Sequence, residues 1–135
     1  MKKTSKILVA LLFVAIILTA CGPKNVWDDA IYKEDAELGQ GSTMFVVLVE
    51  VMENKVAFEV ATNKTNLADA LLEIGLIDGE EGPYGLYIKT VNGMRADYEK
   101  DGAYWSLYIG TEAAETGASE VTVQDGEVYR FIYTK

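Results

Sequence analysis

Apolar residues open this chain as one block and later settle into short, alternating runs. Ile7 to Leu18 is unbroken hydrophobic sequence behind Lys2, Lys3 and Lys6. From Met44 to Met52 and again from Val56 to Ala61 the chain is rich in β-branched residues, with Glu53-Asn54-Lys55 between, which predicts a strand hairpin. Leu67, Leu71 and Ile74 then fall at helical spacing, after a Thr65 or Asn66 cap and before a Gly75 stop. That predicts one helix of about ten residues, short enough to need a sheet beneath its apolar stripe. Asp78 to Pro83 reads as a polar loop and Tyr84 to Val91 as a strand closed by the Asn92-Gly93 turn. Strands follow at Ala103 to Ile109, briefly at Val121 to Val123, and at Glu127 to Tyr133 after an Asp125-Gly126 turn. A helix across one face of a mixed sheet of about five strands is a β-grasp-like arrangement, hence an α+β fold.

The opening block is too short for a spanning helix of ~20 residues and ends in Leu18-Thr19-Ala20-Cys21-Gly22. Basic start, apolar core and a small residue before the lone cysteine match a bacterial lipoprotein signal. The expected organisation is a signal peptide at 1–20, a lipidated Cys21 with a tether through residue 42, and one domain at 43–135. Such a chain is held by its lipid at the outer face of the bacterial cell membrane. A tether of that length would reach ~70 Å when extended. Trp27, Ile31 and Tyr32 are apolar for a spacer, and packing on the domain or a weak helical turn after Asp28-Asp29 are the alternatives for them.

Composition narrows the chemistry. The chain has 12 basic and 21 acidic residues, and three of the basic ones lie in the leader. That balance repels nucleic acid, teichoic acid and anionic lipid, and favours solubility or a cationic partner. There is no histidine, and the single cysteine is assigned to acylation. Imidazole bases, Ser-His and Cys-His pairs and histidine metal ligands are therefore excluded. Without a Gly-x-Ser-x-Gly elbow or a phosphate loop, the reading is a non-enzyme that requires no cofactor. Asp97-x-Glu99-x-Asp101-Gly102 resembles the start of a calcium loop, but its twelfth position is Tyr108 where a bidentate glutamate is needed. An acidic hairpin loop explains it better.

The strands alternate less cleanly than a one-sided sheet requires. Trp105, Leu107 and Ile109 oppose Tyr104, Ser106 and Tyr108, and Val128, Arg130 and Ile132 oppose Tyr129, Phe131 and Tyr133. Parity leaves open which set covers the helix. An exposed tyrosine face is an interaction surface or simply a half-exposed strand face.

Five pieces recur in one order: Tyr84-Gly85-Leu86-Tyr87-Ile88, Val91-Asn92-Gly93, Tyr104-Trp105-Ser106-Leu107, Thr116-Gly117 and Asp125-Gly126-Glu127. With the helix Thr65 to Leu72, this order resembles the C-terminal β-domain of the transcobalamin and intrinsic-factor proteins. It is more similar to the bacterial domain family related to them, common in Gram-positive lipoproteins. The resemblance covers about residues 44–135. It implies a corrinoid ligand, with apolar contact from Tyr84, Tyr87, Trp105 and Tyr108. Thr111, Glu112, Thr116 and Gly117 would then meet the amide arms of the ring. The chain departs from the carriers in lacking their helical domain, in having Glu112-Ala113-Ala114 where they have Pro-Leu, and in offering no imidazole to cobalt. Two roles follow: binding of a small amphipathic ligand such as a cobalamin-type corrinoid, or docking of a surface protein through the aromatic face or a sheet edge.

Overall fold

The computed structural model describes residues 25–135. The expected signal peptide and Cys21 lie outside the described residues. A 3-10 turn at Val26–Asp29 begins the fold. It is followed by strands β1 (Ala36–Gly39), β2 (Thr43–Val51) and β3 (Asn54–Thr62), then helix α1 (Leu67–Glu73). Strands β4 (Ile77–Gly82), β5 (Gly85–Val91) and β6 (Met94–Arg95) come next, with the single-turn helix α2 at Tyr98–Asp101. Strands β7 (Tyr104–Ile109) and β8 (Glu112–Ala113), a 3-10 turn at Ala118–Glu120 and strand β9 (Val128–Thr134) complete it. Among the described residues no helix is long and apolar enough to cross a membrane.

Six strands form a mixed sheet in the order β1-β3-β2-β9-β7-β8, and β4-β5-β6 form a separate antiparallel sheet. The last strand lies parallel to β2, with Val46 opposite Val128 and Glu50 opposite Ile132, and antiparallel to β7. This is an α+β, β-grasp-like arrangement, but the described residues form nine strands in two sheets where one sheet of about five was expected; β1, β4, β6 and β8 are additional, and β5 belongs to the second sheet. The extra strands were hidden by polarity. Asp78 to Pro83 was expected to be a loop, but Ile77–Gly82 pairs with β5 although Asp78, Glu80 and Glu81 face water.

One face of the large sheet makes the core. Phe45, Val47, Val49 and Val51 of β2, Val56, Phe58 and Val60 of β3, and Tyr129 and Phe131 of β9 are buried there. Trp105 is on this face too, because it stands opposite Tyr133 and Leu107 stands opposite Phe131. The parity question is thereby settled in favour of the Trp105 set. Leu67, Ala68, Ala70 and Leu71 of α1 cover the core, each leucine contributing about 1.5–3 kcal/mol by burial. Asn66 caps the helix, its Oδ1 accepting from the Asp69 N–H at 2.9 Å.

Three local expectations change. The span 25–42 is folded onto the domain instead of forming a tether. Tyr32 meets Phe58 edge-on at 5.5 Å, and β1 lies parallel to β3. The buried Asn92 holds this strap from both sides. Its Oδ1 accepts from the Tyr32 N–H at 2.9 Å and its Nδ2 donates to the Tyr32 carbonyl at 2.8 Å. Val121–Val123 is not a sheet strand. It ties down the entry to α1, where the Leu67 N–H donates to the Val121 carbonyl and the Val123 N–H to the Thr65 carbonyl. The acidic run at 97–102 is the helical turn α2, capped by Asp97 and stopped by Gly102 at φ 65°.

Candidate functional site

Strands β2, β9 and β7 define two ends of the molecule. At one end lie the β2–β3 turn, the end of β9 and the start of β7. At the other lie the end of β7 and the start of β9. The second end gathers most of the residues expected to meet a ligand. Strand β7 turns into β8 through Gly110 and Thr111, with Gly110 at φ 61° supplying the tight bend. Thr111 and Glu112 are exposed at that bend, and Thr116 and Gly117 are exposed just after it.

The next 3-10 turn joins this loop to the small sheet. Ser119 Oγ accepts from the Leu86 N–H at 3.0 Å. Gly85, at φ 96°, lies so near that a Cβ there would be 2.8 Å from the Ser119 Cβ. The β4–β5 turn is therefore fixed beside the loop, with the Tyr84 ring 88 % exposed at its tip. Ser119 was invisible to motif reasoning, because a serine beside a small-residue loop carries no distinguishing pattern.

The other three predicted residues go elsewhere. Trp105 is buried, its indole N–H donating to the Met94 carbonyl at 3.2 Å and its ring edge-on to Tyr133 at 5.5 Å. It joins the two sheets. Tyr87 faces outward from the small sheet, with the Lys89 ammonium 5.9 Å from its ring centroid and Lys89 paired to Glu80 at 3.1 Å. It lines a cleft of about 260 Å³ with Lys89, Arg95, Asp97 and Tyr98. Tyr108 stands on the face of the large sheet opposite the core. The Arg130 guanidinium lies 5.6 Å from its ring centroid and binds Glu50 through Nε at 3.0 Å and Nη2 at 2.9 Å. Val46, Leu48, Val128 and Ile132 neighbour that pair in the strand register and are half-buried. Sequence reasoning passed over Arg130, although one charge in the run Val128–Tyr133 was a visible signal.

Tyr129 carries a hydroxyl at the edge of the core. It accepts from the Gln124 N–H at 3.1 Å and donates to the Thr122 carbonyl at 3.4 Å. Burial pushes its ionisation up from the ordinary value of 10.0, the Gln124 bond opposes the rise, and Glu127 adds to it. Tyr133 is raised also, by burial first and then by Asp101. Among the described residues no group of three or more Asp, Glu, His or Cys is placed to hold a metal.

The domain of unknown function DUF4430 matches residues 64–135, more than half of the chain. The chain belongs to the DUF4430 family. A solved structure from Ruminococcus gnavus ATCC 29149, of a proposed metal binding protein, is 30% identical with a TM-score of 0.65. The alignment covers 70% of this chain and 98% of that one. Haptocorrin in complex with Cbi is 22% identical with a TM-score of 0.58, over 69% of this chain. The DUF4430 chain spans 25% of the haptocorrin chain, and at that identity the likeness is one of fold. No curated protein matches this DUF4430 chain.

Proposed function

We propose that this DUF4430 protein is a non-enzymatic, lipid-anchored binding protein on the outer face of a bacterial membrane. Its ligand is a small amphipathic molecule, with the cobalamin-type corrinoids as first candidates. The observation that carries the reading is the end cluster in which Ser119 fixes the Tyr84 turn beside Thr111, Glu112, Thr116 and Gly117. It stands on a fold shared with haptocorrin, whose solved complex holds Cbi. An exposed phenol ring beside hydroxyls, a carboxylate and glycine backbone suits a flat ring with amide arms. Trp105, Tyr87 and Tyr108 are left out of this contact set, since the first is in the core, the second on the outer side of the small sheet and the third on the large-sheet face opposite the core. The remaining surface is an open half-site, so the expected affinity is modest.

The test is equilibrium dialysis of the lipidated chain in detergent against cobalamin and cobinamide, read by corrin absorbance. Retention that falls with Tyr84→Ala and Thr116→Ala, and is unaffected by Tyr87→Ala, supports the end cluster. No retention at millimolar corrinoid would refute the ligand class.

A second reading has its own observation. The sheet face opposite the core brings Tyr104, Tyr108, Val46, Leu48 and Ile132 around the Arg130–Glu50 pair. That composition fits protein docking, with aliphatic area around an aromatic–arginine centre. Concentration-independent corrinoid binding by a monomer favours the first reading, while dimers abolished by Ile132→Lys favour the second.

A further inference from the structure

We propose that the end of the molecule carrying Asn25, Met52, Arg95 and Lys135 seats on the phospholipid surface to which the chain is anchored, so that the loop at 110–117 points away from the membrane. The inference rests on lipidation of Cys21.

Chain length sets the first constraint. Four residue steps separate Cys21 from Asn25, which spans ~14 Å at most. Asn25 is already part of the fold. Its Oδ1 accepts from the Trp27 N–H at 3.1 Å, and its own N–H donates to Asp28 Oδ2 at 3.0 Å. The strap that follows is held by Asn92, and by Gly93, where a Cβ would sit 2.7 Å from the Asp29 carbonyl. The lipid is thus attached by a short lead to a fixed point on the sheet. Asn25 lines a cleft of about 610 Å³ with Val26, Met52, Arg95, Tyr133 and Lys135. Nine-residue β2 runs ~27 Å from this end to the other, so loop 110–117 cannot touch the bilayer while this end does.

Charge selects the same orientation. From Gly110 to Glu127 there are five carboxylates and no cation. The cleft at the anchored end carries Arg95 and Lys135 against Asp29 and Asp101, and Lys24, Asp28 and Glu53 adjoin its lining in sequence. A negatively charged bilayer therefore repels the loop end more strongly than the anchored end, where cations offset most of the carboxylates.

The backbone supplies a third observation. Met52 occupies the β2–β3 turn at φ 54°, where glycine or asparagine would be less strained, yet its side chain is apolar and 75 % exposed. An exposed methionine kept in a strained turn, at the rim of a cleft with equal numbers of cations and carboxylates, offers apolar surface to a headgroup–acyl boundary.

The test uses the full chain, expressed with its leader and reconstituted in phosphatidylglycerol–phosphatidylethanolamine vesicles. Acylated Cys21 leaves any new cysteine as the sole free thiol. Met52→Cys and Glu115→Cys chains are nitroxide-labelled, and relaxation by a nickel-chelating lipid headgroup is compared. Vesicle flotation, with Cys21→Ser as control, reports the anchor separately. Flotation with relaxation several-fold greater at 52 than at 115 is the expected result. Flotation with equal relaxation, or with more at 115, overturns the seat while the anchor stands. Failure to float overturns the anchor, and the seat with it.

Discussion

Replacing Asn92 tests how the strap is held. Its side chain is buried and makes two hydrogen bonds to the Tyr32 backbone, and its own N–H donates to the Leu76 carbonyl at 2.7 Å. It also sits at φ 50°. Asn92→Gly keeps the backbone relaxed and removes only the side chain. Two lost bonds, with Tyr32 N–H and carbonyl left half-buried and unpaired, amount to about 2–4 kcal/mol. Asn92→Ala adds the left-handed penalty of about 1 kcal/mol and should reach about 3–5 kcal/mol. Urea unfolding followed by tyrosine and tryptophan fluorescence gives the two values. Hydrogen exchange then locates the loss, because the Ile31 and Tyr32 amides should lose protection in both variants while β2 and β9 amides keep most of theirs. Losses below about 1 kcal/mol in both variants would refute the assignment of Asn92 as the clasp.

Three further outcomes are expected. Stability should fall as pH rises above 10, because Tyr129 and Tyr133 have raised ionisation in the folded state and the unfolded chain gives up those protons first. Their contribution is complete below pH 10 and is lost on passing through the folded-state values. Denaturant titrations from pH 8 to pH 11 should show a shallower decline in Tyr129→Phe, which itself costs about 1–2 kcal/mol at neutral pH for its two hydrogen bonds. Gly85→Ala should cost about 1–3 kcal/mol through the Ser119 clash and its positive φ, and Ser119→Gly should recover only the steric part; a simple additive double variant in urea would contradict the contact. Met52→Gly should change stability by less than about 1 kcal/mol, in the favourable direction, since relief of the turn outweighs the entropy gained by the unfolded chain; thermal unfolding decides the sign.

The β2–β3 hairpin, α1, β5, β7 and β9 were legible because each couples an apolar pattern to a local stop: Asn66 and Gly75 around the helix, Asn92-Gly93 after β5, Asp125-Gly126 before β9. Strand β4 was not, since a hairpin arm exposed along Asp78, Glu80 and Glu81 has a loop's composition and is held by pairing to β5. The strap was half legible. Its Tyr32 looked too apolar for a spacer, but its partners Phe58 and Asn92 are distant in sequence and no local pattern links them. For the site, the loop at 111–117 and Tyr84 do come to one end of the molecule. That Trp105 lies in the core was not legible, because alternation gives two faces without saying which is covered. That choice depends on Phe131 and Tyr129 across the strand pair, both buried.

The parallel pairing of β2 with β9 has a consequence for how the chain acquires its structure. Val46 meets Val128 and Val49 meets Phe131, so the centre of the sheet joins residues more than half the chain apart. The hairpin β2–β3 can close by itself, but its inner edge stays unpaired until the final strand arrives. Closing so long a loop raises the entropic part of the folding barrier and places this domain among the slower folders of its size. During that interval β2 exposes an edge rich in valine, open to pairing with another chain. The waiting time for β9, more than final stability, then sets the concentration at which newly made chains aggregate.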